Sequence, residues 1–334
     1  MKTIPVIDLH GNYDPAAPAA RAAVADLHHA LTTYGFAYIA GHNVSDASRA
    51  AAFEASREFH ASPLDQKNAL AINEFHRGYM PLASDTIKTS SVAQVTRPNM
   101  SESLMLMHEV AEDDPDFGRP MNGPNQWPDW IPEFRPRVER YIGEVDTLGR
   151  YVIRLMAMSL DLDAYALDAP FEKPTTFLRM LHYPPQAPDD ADNFGSAPHT
   201  DYGFVTLLAQ DDSGGLQVRP RGTDHWIDAP PIPGTYVLNV ADMLARWTNN
   251  RFVSTPHRVV NRSGRDRYSL PYFLDTHIDA VIDCLPTCVS EANPAKFPPL
   301  RYGDRLEQHM STNYSNDHRS ERQQRTSKSS LETA

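Results

Sequence analysis

The spacing of apolar residues changes near residue 175, and this change separates two groups of predicted elements. Before it, apolar positions recur every three or four residues, which is typical of amphipathic helices. After it, short apolar runs alternate with polar residues and turn-forming residues, which is typical of strands. We therefore predict a helical N-terminal part at about residues 1–174 and a strand-rich core at about residues 175–280.

The helical part also contains two short apolar runs of strand length. Gly35 is placed to stop one helix, and Ser45 is placed as the N-cap of the next. Residues 80–137 show no clear period, and six prolines make their second half irregular. The predicted elements are strands at residues 4–9 and 36–40 and helices at residues 19–34, 45–59 and 134–160.

The strand-rich part predicts a double-sheet jelly roll, because many short strands follow one another at regular spacing. Asp211-Asp212-Ser213-Gly214-Gly215 reads as a hairpin turn between two of them. The predicted strands are residues 176–183, 199–210, 215–218, 235–240, 252–261 and 266–274.

The predicted helices precede the predicted strands, and no Gly/Ser linker separates them. This order predicts one composite domain at residues 1–310 in which helices brace the barrel. A C-terminal helix is expected at about residues 300–310. Residues 311–334 are polar and Ser-rich, and we expect them to form a flexible tail. The predicted fold class is mainly β with flanking helices (α+β).

The composition of the chain limits the classes of binding partner that it suits. Its 334 residues carry 31 basic and 43 acidic side chains, a net charge of −12, which disfavours nucleic acid and anionic membranes. The N-terminus reads as a strand rather than a signal peptide, and no apolar stretch is long enough to span a bilayer. Two cysteines, Cys284 and Cys288, exclude a disulfide framework, so we expect a reduced, cytoplasmic protein.

Two histidines and one aspartate have the spacing of a metal site. His199-Thr200-Asp201 is followed 56 residues later by His257. Side chains of a strand alternate between faces, so His199 and Asp201 should point the same way and Thr200 away. A third ligand from a later strand completes one face of an octahedron and leaves three positions open, as in non-haem Fe(II) oxygenases. The chain has fourteen histidines, so a single histidine would not indicate a metal site. The prediction of a metal site depends on the combination of His199, Asp201 and His257.

A second group of residues suits a carboxylate. Arg267 and Ser269 are two apart on one predicted strand face, and a guanidinium with a hydroxyl binds a carboxylate through charge-assisted hydrogen bonds. Tyr183, on an earlier strand, could donate to the same acid. Arg179 shares its face and is expected either to hold a second acid or to pair with a buried carboxylate.

These motifs, with Tyr183-Pro184-Pro185, resemble the isopenicillin N synthase-like group of iron(II)/2-oxoglutarate-dependent oxygenases. The resemblance covers about residues 1–310. Its supporting segments are residues 4–9, 35–38, 77–79, 214–218, 239–244, 248–250 and 257–259.

The resemblance implies a double-stranded β-helix with Fe(II) held by His199, Asp201 and His257. It also implies that 2-oxoglutarate chelates the metal while Arg267, Ser269 and Tyr183 hold its distal carboxylate. The implied reaction uses O2 to oxidise an unactivated C–H bond by hydroxylation, desaturation or cyclisation, and it releases succinate and CO2.

Three alternatives stay open at this point. A 2-oxoglutarate-independent oxidase of the isopenicillin N synthase type would use Arg267 and Ser269 for its own substrate. Residues 178–186 and 199–220 look closest to microbial members, including the ethylene-forming type, which makes an ethylene-forming activity the second alternative. The third is a non-catalytic binding protein on the same fold.

The expected substrate is a small molecule, and its identity is not encoded in any motif. Two arginines near the expected pocket mouth, Arg77 and Arg179, favour a carboxylate-bearing or amino-acid-like compound. Each of the other candidates for substrate contact could equally be a packing residue; they are Tyr79, Tyr202, Phe204 and Phe273.

Overall fold

Two β-sheets pack face to face, and helices cover the outer face of the larger sheet, in the computed structural model of the protein. The structure describes residues 3–86, 92, 96–186 and 193–313. An apolar cluster that includes Tyr38, Leu181, Val218 and Val259 fills the space between the two sheets. A second and larger cluster joins the helices to the outer face of the large sheet.

The strands and helices of the described part are short, apart from one long helix. The strands are β1 (Val6–Asp8), β2 (Phe36–Ala40), β3 (Gly78–Met80), β4 (Glu102–Met107), β5 (Thr175–Tyr183), β6 (Ser196–His199), β7 (Val205–Gln210), β8 (Leu216–Val218), β9 (Ile227–Asp228), β10 (Tyr236–Val240), β11 (His257–Val259), β12 (Arg267–Asp275), β13 (Val281–Ile282) and β14 (Leu300–Arg301). The helices are α1 (Pro18–Thr33), α2 (Asp46–His60), α3 (Leu64–Ala69), α4 (Phe134–Ser159), α5 (Asp242–Trp247) and α6 (Tyr302–Asn313).

The larger sheet has eight strands in the order β1-β2-β10-β7-β12-β5-β4-β3, and the smaller has four in the order β6-β11-β8-β9. Strands β1 and β2 are parallel, and the other pairs of both sheets are antiparallel. This arrangement confirms the predicted mainly-β jelly roll with flanking helices. That residues 1–310 form a single composite domain stays a prediction.

The register of the large sheet decides which side chains enter the barrel. Arg267 lies opposite Tyr183, and Ser269 lies between Leu181 and Gln210, so these side chains share the inner face. The alternate residues of β12 face the helices, where the Tyr272 hydroxyl donates to Asp146 of α4 at 2.8 Å. Because helices cover one face and the small sheet covers the other, both faces of these strands are buried.

Several predicted elements agree with the structure, since β2, β5 and α4 match to within one residue at each end. The N-cap prediction also holds, because the Ser45 side chain accepts a hydrogen bond from the Ser48 amide. Strands β3 and β4 and helices α3 and α5 were not predicted. All six residues of β4 are buried, so this strand has no polar–apolar alternation in its sequence.

Two predictions around the metal motif were wrong. The segment 199–210 is not one strand, because β6 ends at His199 in the small sheet and β7 begins at Val205 in the large one. The 211–215 turn does not close a hairpin, because it leads from β7 in the large sheet to β8 in the small one. Gly215 is required at this crossing, because it has a φ of +91° and a Cβ would lie 2.5 Å from the Val260 carbonyl oxygen.

The C-terminal helix begins and ends two to three residues later than predicted, at Tyr302 and Asn313. The rest of the predicted tail, residues 314–334, lies outside the described residues. None of the helices in the described ranges has the length and hydropathy that a membrane crossing requires. Cys284 and Cys288 are free cysteines.

His182 joins two carboxylates on the helix side of the large sheet. Its Nδ1 lies 2.8 Å from Glu102 and its Nε2 lies 2.9 Å from Asp266. Both nitrogens must donate to these acceptors, so the ring carries a positive charge. Burial alone would lower the pKa of His182, but the hydrogen bonds to Glu102 and Asp266 raise it overall.

His182→Gln should flatten the dependence of stability on pH. A raised folded-state pKa stabilises the fold fully below the ordinary value of 6.5, and this contribution is lost as pH rises through the raised pKa. We expect the variant to lose roughly 1 kcal/mol at about pH 6 and less at about pH 8.5, in urea unfolding. His225→Gln, in an exposed loop, is the control. Equal losses at both pH values would contradict the prediction.

Candidate metal centre and carboxylate pocket

His199, Asp201 and His257 converge at one end of the space between the sheets. His199 and His257 are paired residues of β6 and β11, and their ring centroids are 4.3 Å apart. Asp201 Oδ1 lies 3.5 Å from His199 Nε2 and 3.6 Å from His257 Nε2. One ligand atom from each residue lies within 4.8 Å of the others, which is a spacing that one metal ion can bridge.

The two imidazoles are held so that Nε2 is free to bind a metal. His199 Nδ1 lies 2.8 Å from the Ala197 carbonyl oxygen, and His257 Nδ1 lies 3.3 Å from that of Thr255. A carbonyl oxygen can only accept, so Nδ1 carries a proton in both rings and Nε2 is the nitrogen that remains for a metal. Backbone acceptors of this kind fix the tautomer and the orientation of metal-binding histidines.

The second oxygen of Asp201 is fixed by two donors from neighbouring strands of the large sheet. Thr206 Oγ1 donates to Oδ2 at 2.6 Å, and Asn239 Nδ2 donates to the same atom at 2.8 Å. Burial alone would raise the pKa of Asp201, but His257, His199 and the Thr206 hydrogen bond lower it overall. Asp201 is therefore an ionised carboxylate that directs Oδ1 at the two imidazoles.

Thr200 points away from the metal ligands, as expected, although the reason differs from strand alternation. The motif lies at the end of β6 and in the loop before β7. Thr200 Oγ1 donates to Asp242 Oδ2 at 3.1 Å, and Ser254 Oγ donates to Oδ1 of the same residue at 2.6 Å. Asp242 therefore ties the loop of Asp201 to the segment that precedes His257.

Arg267 is fully buried and lacks a carboxylate partner among the described residues. Its Nε donates to the Gly214 carbonyl at 2.6 Å, and Nη2 donates to Gln210 Oε1 at 3.2 Å. Its Nη1 is buried without any hydrogen-bond partner in the described part of the chain. A buried guanidinium without a counter-charge is costly, so this position suits an anionic ligand.

Tyr183 and Ser269 complete the surroundings of this guanidinium. Arg267 Cζ lies 4.7 Å from the centroid of the Tyr183 ring, a cation–π contact. Ser269 is buried one inner-face position further along β12. Gly195 allows Tyr183 to approach, because a Cβ there would lie 2.7 Å from its ring. The structure therefore brings the three residues of the predicted carboxylate pocket to one place.

Aromatic rings extend from the metal centre towards α6. Phe177 lies 6.3 Å from Phe273 and 6.4 Å from Tyr202 between ring centroids. Tyr202 directly follows Asp201, and its ring lies 4.0 Å from that of His309 in α6. Burial, followed by the charges of Arg305 and His199, lowers the pKa of His309 to about 4, so this imidazole is neutral. Phe177, Tyr202, Phe273 and His309 are called the aromatic cluster below.

Arg179 lies on the inner face of β5 but is already engaged. Its Nη2 lies 3.1 Å from Asp85 Oδ2, and its Nε donates to Ser103 Oγ at 2.9 Å. Asp85 is buried, so the pair matches the second of the two alternatives expected for Arg179.

Three residues expected to contact the substrate make structural contacts within the protein. Arg77 is fully buried and donates to the carbonyls of Phe75, Met121 and His108. Tyr79 is buried with its hydroxyl donating to Glu102. Phe204 is fully buried among aromatic residues of the helical side. These contacts fit the packing or fold-support role that the sequence also allowed, and a substrate role for the three residues stays a prediction.

Four residues that reach the site from distant positions were not predicted from the sequence. Thr206 and Asn239 lie within predicted strands, but their common contact with Asp201 depends on the β7–β10 register. His309 and Asp85 have no local sequence pattern that marks them. Only the packing of α6 and of the segment before β4 places them near the site.

Thr206→Val should weaken Fe(II) binding without unfolding the protein. The substitution keeps the shape but removes one of the two donors that orient Asp201, and such partners of metal ligands contribute roughly 10–100-fold to affinity. Anaerobic Fe(II) titration measures the effect. Thr147→Val, which removes an exposed hydroxyl in α4, is the matched control. Equal Fe(II) affinity in the two variants would contradict a positioning role for Thr206.

Comparisons with known families agree with this geometry. Residues 174–276 match the 2OG-Fe(II) oxygenase superfamily, and residues 4–130 match a family described as non-haem dioxygenase in morphine synthesis N-terminal. The 2-oxoglutarate-Fe(II) type oxidoreductase hxnY of Emericella nidulans is 35% identical over 90% of this chain and 87% of its own length. Kihadalactone A synthase LFS of Citrus sinensis is 36% identical over 90% of this chain and 91% of its own.

Solved structures show the same likeness. A full-length Neurospora crassa protein in complex with alpha-KG and thymine has a TM-score of 0.81 and 28% identity, over 92% of this chain and 96% of that chain. A putative 2OG-Fe(II) oxygenase family protein from Caulobacter crescentus has a TM-score of 0.81 and 29% identity, over 93% of this chain and 100% of that chain.

Proposed function

Because this chain belongs to the 2OG-Fe(II) oxygenase superfamily, we propose that His199, Asp201 and His257 hold its iron and that Arg267, Ser269 and Tyr183 hold the distal carboxylate of 2-oxoglutarate. The protein is an Fe(II)/2-oxoglutarate-dependent dioxygenase that acts on a small molecule. The observation that carries the residue assignment is the buried Arg267 guanidinium, whose Nη1 lacks a partner among the described residues.

The donor set suits Fe(II). Two imidazoles and one ionised carboxylate form the two-histidine, one-carboxylate set of non-haem Fe(II) oxygenases, which leaves further coordination positions open. Each ligand is oriented by a partner of its own: a carbonyl oxygen for each imidazole, and Thr206 with Asn239 for Asp201. Without these partners the ligands would have to be ordered when the metal binds, at an entropic cost.

The Arg267 pocket suits one end of a dicarboxylate. Gly214 and Gln210 fix the guanidinium from one side, and the Tyr183 ring covers its face. A carboxylate at the unpartnered Nη1 would satisfy the remaining donor and neutralise the buried charge. The Ser269 hydroxyl, on the same inner face, supplies an additional donor for that carboxylate.

When bound, iron with 2-oxoglutarate and O2 supplies the oxidation of an unactivated C–H bond, with release of succinate and CO2. The side chains of the protein bind and orient. Arg267 sets the position of the cosubstrate, and the apolar residues between the sheets exclude water from the site. The product mass separates hydroxylation, which adds one oxygen, from desaturation or cyclisation, which each remove two hydrogens, and the NMR spectrum of the product distinguishes the last two.

Anaerobic titration of the protein with Fe(II) and then 2-oxoglutarate tests the assignment. We expect the weak visible charge-transfer band of a metal-chelated 2-oxoacid, followed by succinate release when O2 and substrate are added. Tight iron binding with no band and no succinate would support the 2-oxoglutarate-independent oxidase instead. Ethylene in the headspace would support the ethylene-forming alternative.

We propose an uncharged substrate with a flat ring rather than the carboxylate-bearing or amino-acid-like compound expected from the sequence. That expectation depended on Arg77 and Arg179. The first binds three backbone carbonyls, and the second pairs with Asp85. The aromatic cluster supports a ring-shaped substrate, since offset or edge-on ring contacts favour planar groups. The Arg179–Asp85 pair offers both a donor and an acceptor to such a ring.

Succinate release tests this substrate class directly. The first panel compares uncharged ring compounds with amino acids and linear carboxylic acids. Thymine is included among the ring compounds because the similar Neurospora crassa protein was solved in complex with it. Stimulation confined to amino acids or acids would contradict the proposal.

Tyr202→Ala should raise KM for an active ring compound about tenfold. The substitution removes one aromatic contact, which stabilises binding by roughly 0.5–1.5 kcal/mol in addition to the effect of burying the ring. The KM for 2-oxoglutarate should not change. Tyr165→Ala, at an exposed position in the loop after α4, is the control. An unchanged substrate KM would exclude Tyr202 from the substrate site.

A further inference from the structure

A cleft of about 880 Å³ lies beside the metal motif and shares no residue with the metal centre, the carboxylate pocket or the aromatic cluster. Four parts of the chain line it: the loop after β8 with residues 219–224, α5 with the segment that leads to His257, the segment 297–300, and α6. Four arginines are among the lining residues: Arg219, Arg221, Arg246 and Arg305. This concentration of positive charge is unexpected in a chain with a net charge of −12.

The four guanidiniums have no salt bridge to a carboxylate of the described residues. Arg221 and Arg305 are exposed, whereas Arg219 and Arg246 are half-buried, and most other half-buried arginines do have such a partner. Two acidic residues, Asp224 and Asp242, line the cleft. Asp224 is exposed in the loop after β8. Asp242 already accepts hydrogen bonds from Thr200 and Ser254 on its two carboxylate oxygens. The cleft therefore keeps an excess of positive charge that the described side chains do not neutralise.

Contacts with a carbonyl group and with rings hold Arg219 and Arg246 in place, and Arg305 Nη1 donates to Gln308 Oε1 at 3.2 Å. Arg246 donates to the Pro298 carbonyl and lies over the Phe297 ring at 4.8 Å, and Arg219 lies over the Trp226 ring at 5.4 Å. The Nε of Arg246 is buried with no hydrogen-bond partner in the described part of the chain. Burial and the nearby charge of Arg305 both lower the pKa of Arg246. Fixed, mutually repelling guanidiniums of this kind are stabilised by an anion that binds between them.

We propose that this cleft binds a small polyanion, through phosphate or carboxylate oxygens, at a site separate from the iron centre. The volume is that of a small-molecule site, and guanidiniums from three segments can surround several anionic groups at once. The site adjoins the metal motif, because Asp242 borders the cleft and accepts the hydrogen bond of Thr200. The proposal does not depend on the assignment of the iron or 2-oxoglutarate residues.

Isothermal titration of the full chain, loaded anaerobically with Fe(II) and one equivalent of 2-oxoglutarate, tests the proposal. Fructose 1,6-bisphosphate is the phosphate probe and tricarballylate is the carboxylate probe, in separate titrations. We expect saturable binding of at least one probe that weakens as salt rises, since several charges are paired. Binding of the first alone assigns phosphate chemistry, and binding of the second alone assigns carboxylate chemistry.

Arg219→Gln/Arg305→Gln should weaken the binding at least about tenfold, because two charge-assisted contacts are lost. Both side chains are partly or fully exposed, so the fold should tolerate the change, and an unaltered Tm verifies this. Arg21→Gln/Arg262→Gln removes the same charge at exposed positions outside the cleft and should change the affinity less than about twofold. Absence of binding by both probes, or equal affinity in the two double variants, would overturn the proposal.

Discussion

His199→Ala is expected to abolish turnover and to lower Fe(II) affinity by more than about 100-fold. Partners that only orient a ligand contribute roughly 10–100-fold, so loss of a ligand should cost more. The structure offers no described histidine or carboxylate to replace it, because the group at this position consists of His199, Asp201 and His257. The charge-transfer band with 2-oxoglutarate should disappear together with iron binding.

Thermal unfolding separates loss of metal from loss of fold. The Tm of metal-free His199→Ala should stay close to that of the metal-free parent, since the imidazole is half-buried and makes its hydrogen bond to a nearby carbonyl. His225→Ala, in an exposed loop, is the matched control and should retain full activity. Retention of the band and of succinate release in His199→Ala would remove this residue from the metal site.

Arg267→Gln is expected to weaken 2-oxoglutarate binding by about 100-fold or more while Fe(II) affinity stays unchanged. Truncating one partner of a buried, hydrogen-bonded charge pair costs roughly 2–5 kcal/mol, and each 1.4 kcal/mol is tenfold. Arg267→Lys should recover part of the affinity, because an ammonium keeps the charge but lacks the paired donors of a guanidinium. The measurements are KM for 2-oxoglutarate and the anaerobic titration of the charge-transfer band.

Arg265→Gln is the control for this experiment, since Arg265 lies two residues earlier on the same segment and is exposed. Arg267 also donates to the Gly214 carbonyl, so some loss of stability is expected and Tm is measured alongside. If Arg267→Gln kept its 2-oxoglutarate affinity and lost only its response to substrate, Arg267 would bind the substrate. The protein would then work as the 2-oxoglutarate-independent oxidase.

The two variants together distinguish the two halves of the site. His199→Ala should remove both iron and the band, whereas Arg267→Gln should keep iron and shift the band to higher 2-oxoglutarate concentration. This difference follows from the structure, in which the metal ligands lie at the end of β6, in the loop after it and at the start of β11. The guanidinium lies instead on β12 of the opposite sheet.

The sequence by itself determined the features that depend on residues close together in the chain. The helical stripe of α4, the cap at Ser45 and the short run of β2 follow from local spacing and agree with the structure. The jelly-roll class followed from the succession of short strands. The His-x-Asp and Arg-x-Ser pairs, two residues apart, pointed to iron and a carboxylate because each pair places its chemistry within one turn or strand face.

Predictions from the local spacing of apolar residues were wrong where a segment is completely buried or where the chain passes from one sheet to the other. Strand β4 has no alternating pattern because both of its faces are covered. The 199–210 segment looked continuous, but its two ends belong to different sheets, and Gly203 is the local sign of the crossing, since a Cβ there would collide with the Asp275 carboxylate. For Arg77, which is expected at the pocket mouth, no side-chain pattern indicates the three backbone carbonyls that surround its guanidinium.

Only the tertiary structure decided which distant residues meet. The β7–β10 register brings Thr206 and Asn239 to one oxygen of Asp201, and the packing of α6 brings His309 onto Tyr202. The fold likewise buries Arg267 without a described counter-charge and gathers four arginines from three segments into one cleft. Such contacts depend on strand register and helix packing over the whole molecule, which short-range periodicity does not specify.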